Sequence, residues 1–173
     1  MNKIDRIRSI KNLAISYRGN VLEKMSFLEK VVDNYIIYHF TNKDEDKTIE
    51  MQLLIFGDNR VTFENKKQIF HSLASAHDLQ WYRSYKSLRN LKANKGSIPM
   101  NSDLTHCIEQ RNIFAHCIVD TSVAGINRIK PTEVGFVRFK NKEETVWYDE
   151  QKINLLLKVI DNVMAHINKK ITD

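Results

Sequence analysis

Proline and glycine are scarce in this chain of 173 residues, which carries 2 and 5 of them. A β-sandwich or barrel turns often and normally spends more of both, so the scarcity argues against turn-rich all-β folds and favours long helices. Cysteine is equally rare, with only Cys107 and Cys117, too few for the disulfide scaffold of a small secreted domain. No run reaches the roughly 18 apolar residues that a membrane span needs. The richest stretch, Phe27 to Phe40, is interrupted by Glu29, Lys30, Asp33 and Asn34. The opening segment from Met1 to Asn20 has no apolar core of signal-peptide length. These absences lead to the expectation of a cytoplasmic protein with reduced thiols and no membrane partner. P-loop, G-x-G-x-x-G, H-E-x-x-H and G-x-S-x-G patterns are also missing, and with them the usual sequence supports of those mechanisms.

What is present is globular composition, 42% hydrophobic and 28% charged, in a length that can bury one real core. The absence of repeats, low-complexity tracts and Pro/Ser-rich linkers leads to the expectation of one domain over residues 1–173. The net charge of +6 and a pI near 9.3 favour an anionic partner. RNA, DNA and anionic lipid all qualify on charge alone.

Apolar residues recur at helical spacing along most of the chain. Ile4, Ile7, Ile10, Leu13 and Ala14 predict a short helix over about 3–17, broken at Gly19-Asn20. A longer helix follows to about Phe40, with Val21, Met25, Leu28, Val32, Tyr35, Ile36 and His39 along one face. Residues 41–48 read as a polar loop, Ile49 to Phe56 as a short helix closed by Gly57, and Phe63 to Ser75 as another. A helix from Leu79 to Asn94 carries Trp81, Tyr85, Leu88 and Leu91, and Gly96 to Pro99 breaks the chain. Asn101, Ser102 and Asp103 then offer caps for a helix reaching about Ile118. Val134 to Phe139 and Thr145 to Tyr148 predict a β-hairpin at about 133–148, and a last helix runs from Asp149 or Glu150 to about Lys170. The expected class is mainly α, a helical bundle with a small β-hairpin before the C-terminal helix.

The segment from Leu104 to Cys117 carries the most chemistry. At roughly 100° per residue, Leu104, Ile108, Ala115 and Ile118 share an apolar face within about 80°, and Arg111 falls near its centre. A buried guanidinium needs a partner, because desolvating a fixed charge costs several kcal/mol. Arg111 therefore either meets a carboxylate, with Glu23, Glu29 and Asp33 as candidates, or lines a cleft that receives an anion. Thr105, Glu109, Asn112 and His116 form a polar flank adjacent to it. A permanent cation beside a residue that exchanges a proton near neutral pH supplies the two tools for cleaving RNA without metal. A lone histidine beside alanine and cysteine is more often a satisfied core residue than a catalyst.

The run Arg111-Asn112-Ile113-Phe114-Ala115-His116 resembles the R-x(4–6)-H motif of HEPN domains, a helical superfamily rich in ribonucleases. A polar residue follows the arginine, and the motif lies on a late helix, as in that family. The specific match covers about residues 103–117. The resemblance implies a HEPN-like helical bundle and a homodimer with two motif copies facing one cleft. It implies metal-independent endoribonuclease chemistry with no cofactor, leaving a 2′,3′-cyclic phosphate and a 5′-hydroxyl. Arg111 would hold the scissile phosphate, His116 would act as general acid or base, and Asn112 would orient the pair. Glu109 joins them only because it shares their flank. Toxin or anti-phage roles, with an antitoxin or regulatory protein as partner, are what the family suggests. The hairpin at 133–148 lies outside the family's minimal core. Some members are not nucleases, which leaves a non-catalytic dimeric binding or regulatory protein as the alternative.

Two other patterns compete. Arg83, Lys86, Arg89, Lys92 and Lys95 recur every third residue among Trp81, Tyr82 and Tyr85, a basic and aromatic stretch suited to an RNA backbone. Spacing of three spirals around a helix, so a solvated face over an aromatic core explains it too. His106-Cys107 and His116-Cys117 invite a zinc site, but they sit about 15 Å apart on one helix, and only a dimer would bring them together. His39, His71, His77 and His166 lack any ligand-like spacing.

Overall fold

The structure is a computed structural model and describes residues 3–58, 60–89, 98–127, 132–139 and 142–172. Its first element, α1 (Lys3–Thr41), runs unbroken for 39 residues through the expected break at Gly19-Asn20. A lone exposed glycine costs a helix about 1 kcal/mol. Burying each large apolar side chain on the stripe through it returns about 1.5–3 kcal/mol. That stripe is Ala14, Tyr17, Val21, Met25, Leu28, Val32 and Tyr35, all buried. His39, expected on the same face, is exposed.

The polar loop expected at 41–48 shrinks to a tight turn. Asn42 and Lys43 take left-handed backbone angles, φ 53° and 62°, and Asp44 caps α2 (Glu45–Met51) by accepting from the Lys47 amide. The next five residues, Gln52–Phe56, form a π-helical turn that ends where Gly57 N–H donates to Gln52 O at 2.8 Å. Thr62 caps α3 (Phe63–His77), which matches its expected span closely.

Of the helix expected from Leu79 to Asn94, the described residues, which run to Arg89, form only α4 (Leu79–Arg83), and the chain leaves it at Ser84, whose hydroxyl donates to Trp81 O. Tertiary bonds override the local periodicity here. The buried Tyr85 hydroxyl donates to Asp103 at 2.6 Å, and Arg89 Nε donates to the same carboxylate at 2.5 Å. Leu91, Lys92, Asn94, Lys95 and Gly96 lie outside the described residues.

Pro99 precedes α5 (Met100–His116), so Asn101, Ser102 and Asp103 are not caps but lie inside its first turn. The helix stops at His116 because Cys117 turns extended, φ −82° and ψ 147°. The chain enters β1 (Ile118–Val119), a strand hidden in sequence because Ile118 continued the helical pattern. A short α6 (Val123–Asn127), also unexpected, leads towards the hairpin of β2 (Val134–Phe139) and β3 (Glu143–Tyr148). The sheet is antiparallel in order β1-β2-β3, with Val119 opposite Phe136 and Val134 opposite Tyr148. Gly135 lies close under β3: an added Cβ would stand 2.7 Å from Thr145 Cγ2 and 2.9 Å from the Trp147 ring. The final α7 (Glu150–Thr172) buries Ile153, Leu156, Val159, Ile160, Val163 and Ile167.

The protein is therefore mainly helical with a small three-stranded antiparallel sheet. α5 packs against α1, α3 and α7, and its last turn rests on the sheet through Phe114, whose ring meets Phe136 at 5.0 Å and Tyr148 at 4.7 Å. Among the described residues no helix is long and apolar enough to cross a membrane.

Candidate functional site

The buried stripe of α5 is Met100, Asp103, Leu104, Cys107, Ile108 and Phe114, and by helical spacing Arg111 falls on its line. At that level the core opens. Arg111 is half-buried and lines a cleft of ≈ 510 Å³ together with Ile108 and Asn112 from its own helix. The other walls are Glu29 of α1, Phe56 to Asp58, and Val61 to Glu64 with Lys66 at the start of α3. Ala115 and Ile118, assigned to the apolar face by spacing, are both exposed. Phe114 fills the space above the sheet, and Ile118 belongs to a strand to which helical projection does not apply.

Charge in the cleft is arranged in closed pairs, with one exception. Lys66, buried to 4% exposure, reaches Glu29 at 2.8 Å and Asp33 at 2.9 Å. Burial opposes its charge, but the two carboxylates outweigh that and hold its pKa above the ordinary value. Asp33 is raised by burial and by Glu29, against the pull of Lys66. Glu64 is engaged by Lys67 at 2.6 Å and by Gln68, and the Lys67 bond holds its carboxyl below the ordinary value. Asp58 is gripped by Arg60. Arg111 forms no ion pair among the described residues; its guanidinium donates from Nη1 to Asn112 Oδ1 at 3.2 Å. Of the acids named as candidates for Arg111, Glu29 and Asp33 pair with Lys66 instead.

His116 ends the same helix but lies outside the cleft lining, exposed and without a hydrogen bond among the described residues. Arg18 fixes that end by donating to Cys117 O while its guanidinium lies 5.1 Å from the Phe136 ring. Glu109 is exposed on the His116 side and does not reach the cleft either. Thr105 is spent on structure, accepting from Lys67 Nζ at 2.9 Å and donating to Asn101 O. Within one chain the cleft thus unites Arg111 with Asn112 and leaves Glu109 and His116 outside.

The basic stretch divides. Arg83 and Lys86 are exposed. Arg89 is a structural cation, bound to fully buried Asp103 and to Ser102. Glu29 was named from sequence only as a partner for Arg111, and Lys66 and Glu64 were assigned no part in a site, although a lysine on the apolar stripe of α3 was a usable signal. Among the described residues no group of three or more His, Cys, Asp or Glu is placed to hold a metal ion. The His39 and His77 rings meet at a 45° tilt with centroids 4.6 Å apart, and His166 stacks on Trp81 at 5.0 Å. No protein-family model, curated protein or solved structure matches the chain.

Proposed function

We propose that this chain is a HEPN-like, metal-independent endoribonuclease acting as a homodimer. The carrying observation is Arg111, a half-buried guanidinium facing a ≈ 510 Å³ cleft whose lining carboxylates are all taken by other cations. Such a cation is available to a phosphate, and its fixed planar fork suits bidentate contact with two phosphate oxygens. In this reading Asn112 Oδ1 keeps the fork in one orientation through the bond it accepts.

His116 stands outside that cleft in its own chain, so a complete site needs a second copy. A two-fold axis beside the last turn of α5 would bring the partner subunit's His116 to the phosphate held by Arg111. An imidazole there would take the proton of the ribose 2′-hydroxyl as its oxygen attacks phosphorus. The imidazolium then returns that proton to the departing 5′-oxygen, directly or through a water, which leaves a 2′,3′-cyclic phosphate and a 5′-hydroxyl and restores the neutral histidine. Arg111 would offset charge developing on the phosphoryl oxygens. The net charge of +6 favours approach of a polyanion. A toxin or anti-phage role controlled by a regulatory protein is consistent with such chemistry.

One observation favours a second reading. Glu29, Asp58 and Glu64 line the same cleft, an acidic complement that disfavours a long polyanion and suits a non-catalytic dimeric binding or regulatory protein. Incubating the purified protein with single-stranded RNA in EDTA separates the two. Cleavage with cyclic-phosphate ends, lost in both Arg111→Ala and His116→Ala while circular dichroism is unchanged, supports the nuclease. Absence of cleavage, or cleavage untouched by either substitution, overturns it.

A further inference from the structure

A second cavity, of ≈ 280 Å³, opens on roughly the opposite flank of α5 from the Arg111 cleft. His106 and Gln110 form its α5 wall, β3 supplies Trp147, and α7 supplies Leu155 and Leu156. Its apolar floor is rimmed by two cations, Arg89 and Lys152. No aspartate or glutamate lines it, whereas the Arg111 cleft has three acids in its walls. Arg89 is matched by Asp103 at Nε and spends Nη2 on Ser102, so the rim's unmatched charge is that of Lys152, whose Nζ donates to Trp147 O at 2.9 Å with no ion pair among the described residues. The rim therefore keeps an excess of positive charge over a floor that repels water. His106, held below its ordinary pKa by burial and by the Arg89 charge, stays neutral at pH 7 and offers one donor and one acceptor.

We propose that this cavity binds a small aromatic carboxylate, with its ring against Trp147 and the leucines and its anionic group at Lys152 and Arg89. The volume lies just below the range of about 300–1,000 Å³ typical for drug-sized guests. One or two fused rings fit it, while a nucleoside polyphosphate does not. Two rim cations repel a divalent metal, and an aliphatic polyol would leave its hydroxyls against an apolar floor. The proposal is independent of the RNA reading, since none of these residues lines the Arg111 cleft.

Calorimetric titration of the full chain with benzoate, 2-naphthoate and indole-3-carboxylate, against indole-3-carboxamide as a neutral counterpart, tests it. At least one acid should bind, and indole-3-carboxylate should bind about tenfold tighter than the amide, as expected for a hydrogen bond to a charged group. Lys152→Gln, at an exposed position, should reduce the acid to the level of the amide. Leu155→Trp, which fills the cavity from a side chain 46% exposed, should abolish acid binding while the urea midpoint stays put. No acid binding at millimolar concentration overturns the proposal, as does an amide equal to the acid, or acid binding indifferent to both substitutions. If only a short RNA binds, and Leu155→Trp removes it, the cavity belongs to a nucleic-acid path and the aromatic-acid assignment fails.

Discussion

Lys66 holds Glu29: its ammonium, carried on α3, lies 2.8 Å from the Glu29 carboxylate on α1. That bond decides the character of the Arg111 cleft, because Glu29 is an acid an arginine on α5 could have claimed. With Lys66 in place, the carboxylate is neutralised and the guanidinium one helix away remains unmatched.

Replacing Lys66 should therefore do two things. Lys66→Met leaves Glu29 and the mostly buried Asp33 without their cation, and should cost about 2–3 kcal/mol, below the usual 3–5 for a fully buried pair because Glu29 is partly solvated. It also frees Glu29 to draw in Arg111. A urea titration should show the loss, and RNA cleavage measured well below the new midpoint should fall although Lys66 is not assigned to the chemistry.

Arg83 and Arg89 belong to one basic pattern in sequence and should behave in opposite ways. Arg89→Ala leaves the Asp103 carboxylate, 0% exposed, without its cation and should destabilise the fold by about 3 kcal/mol. Arg83→Ala, at an exposed position, should leave the urea midpoint within about 0.5 kcal/mol and change only the salt dependence of RNA binding. A stable Arg89→Ala protein would contradict the role given to Asp103.

If the nuclease site is shared between copies, inactive variants should rescue each other. Mixing Arg111→Ala with His116→Ala lets half the dimers combine an intact arginine with an intact histidine at one of two sites. Cleavage should return to roughly a quarter of the wild-type rate after subunit exchange. Complete silence of the mixture, with exchange verified by mass spectrometry, would place both groups in one chain.

Acid stability should report on Asp78. Burial opposes its ionisation, but Lys170 at 2.6 Å and the Tyr35 hydroxyl prevail and hold its pKa below the ordinary 3.8. A carboxyl depressed in the folded state contributes stability above its unfolded pKa and loses it as pH falls through the folded one. The urea midpoint of the wild type should therefore drop between pH 5 and pH 2. Asp78→Asn should flatten part of that drop and be less stable than wild type at pH 5.

Most helices were legible because helical spacing is a local property. The stripe from Val21 to Ile36 and the face of α7 appear as written, and the hairpin strands could be read from β-rich residues. Reading failed where distant partners set the backbone. Tyr85 and Arg89 both turn to Asp103, so a periodic stretch leaves the helix after Arg83, and Cys117 turns into a strand that pairs with β2. The arginine on the apolar face of α5 was visible in sequence; whether it had a partner was not.

The chain by itself determined the helical class, the late hairpin and the Arg111-to-His116 spacing, since these depend on residues a few positions apart. Only the tertiary structure decided which acid meets which cation, because Lys66 finds Glu29 and Asp33 across 37 and 33 positions. It also decided that Arg111 faces a cleft while His116 faces solvent. Electrostatic pairing is settled by proximity in space, and when helices pack, proximity follows from the whole core rather than from any local run of residues.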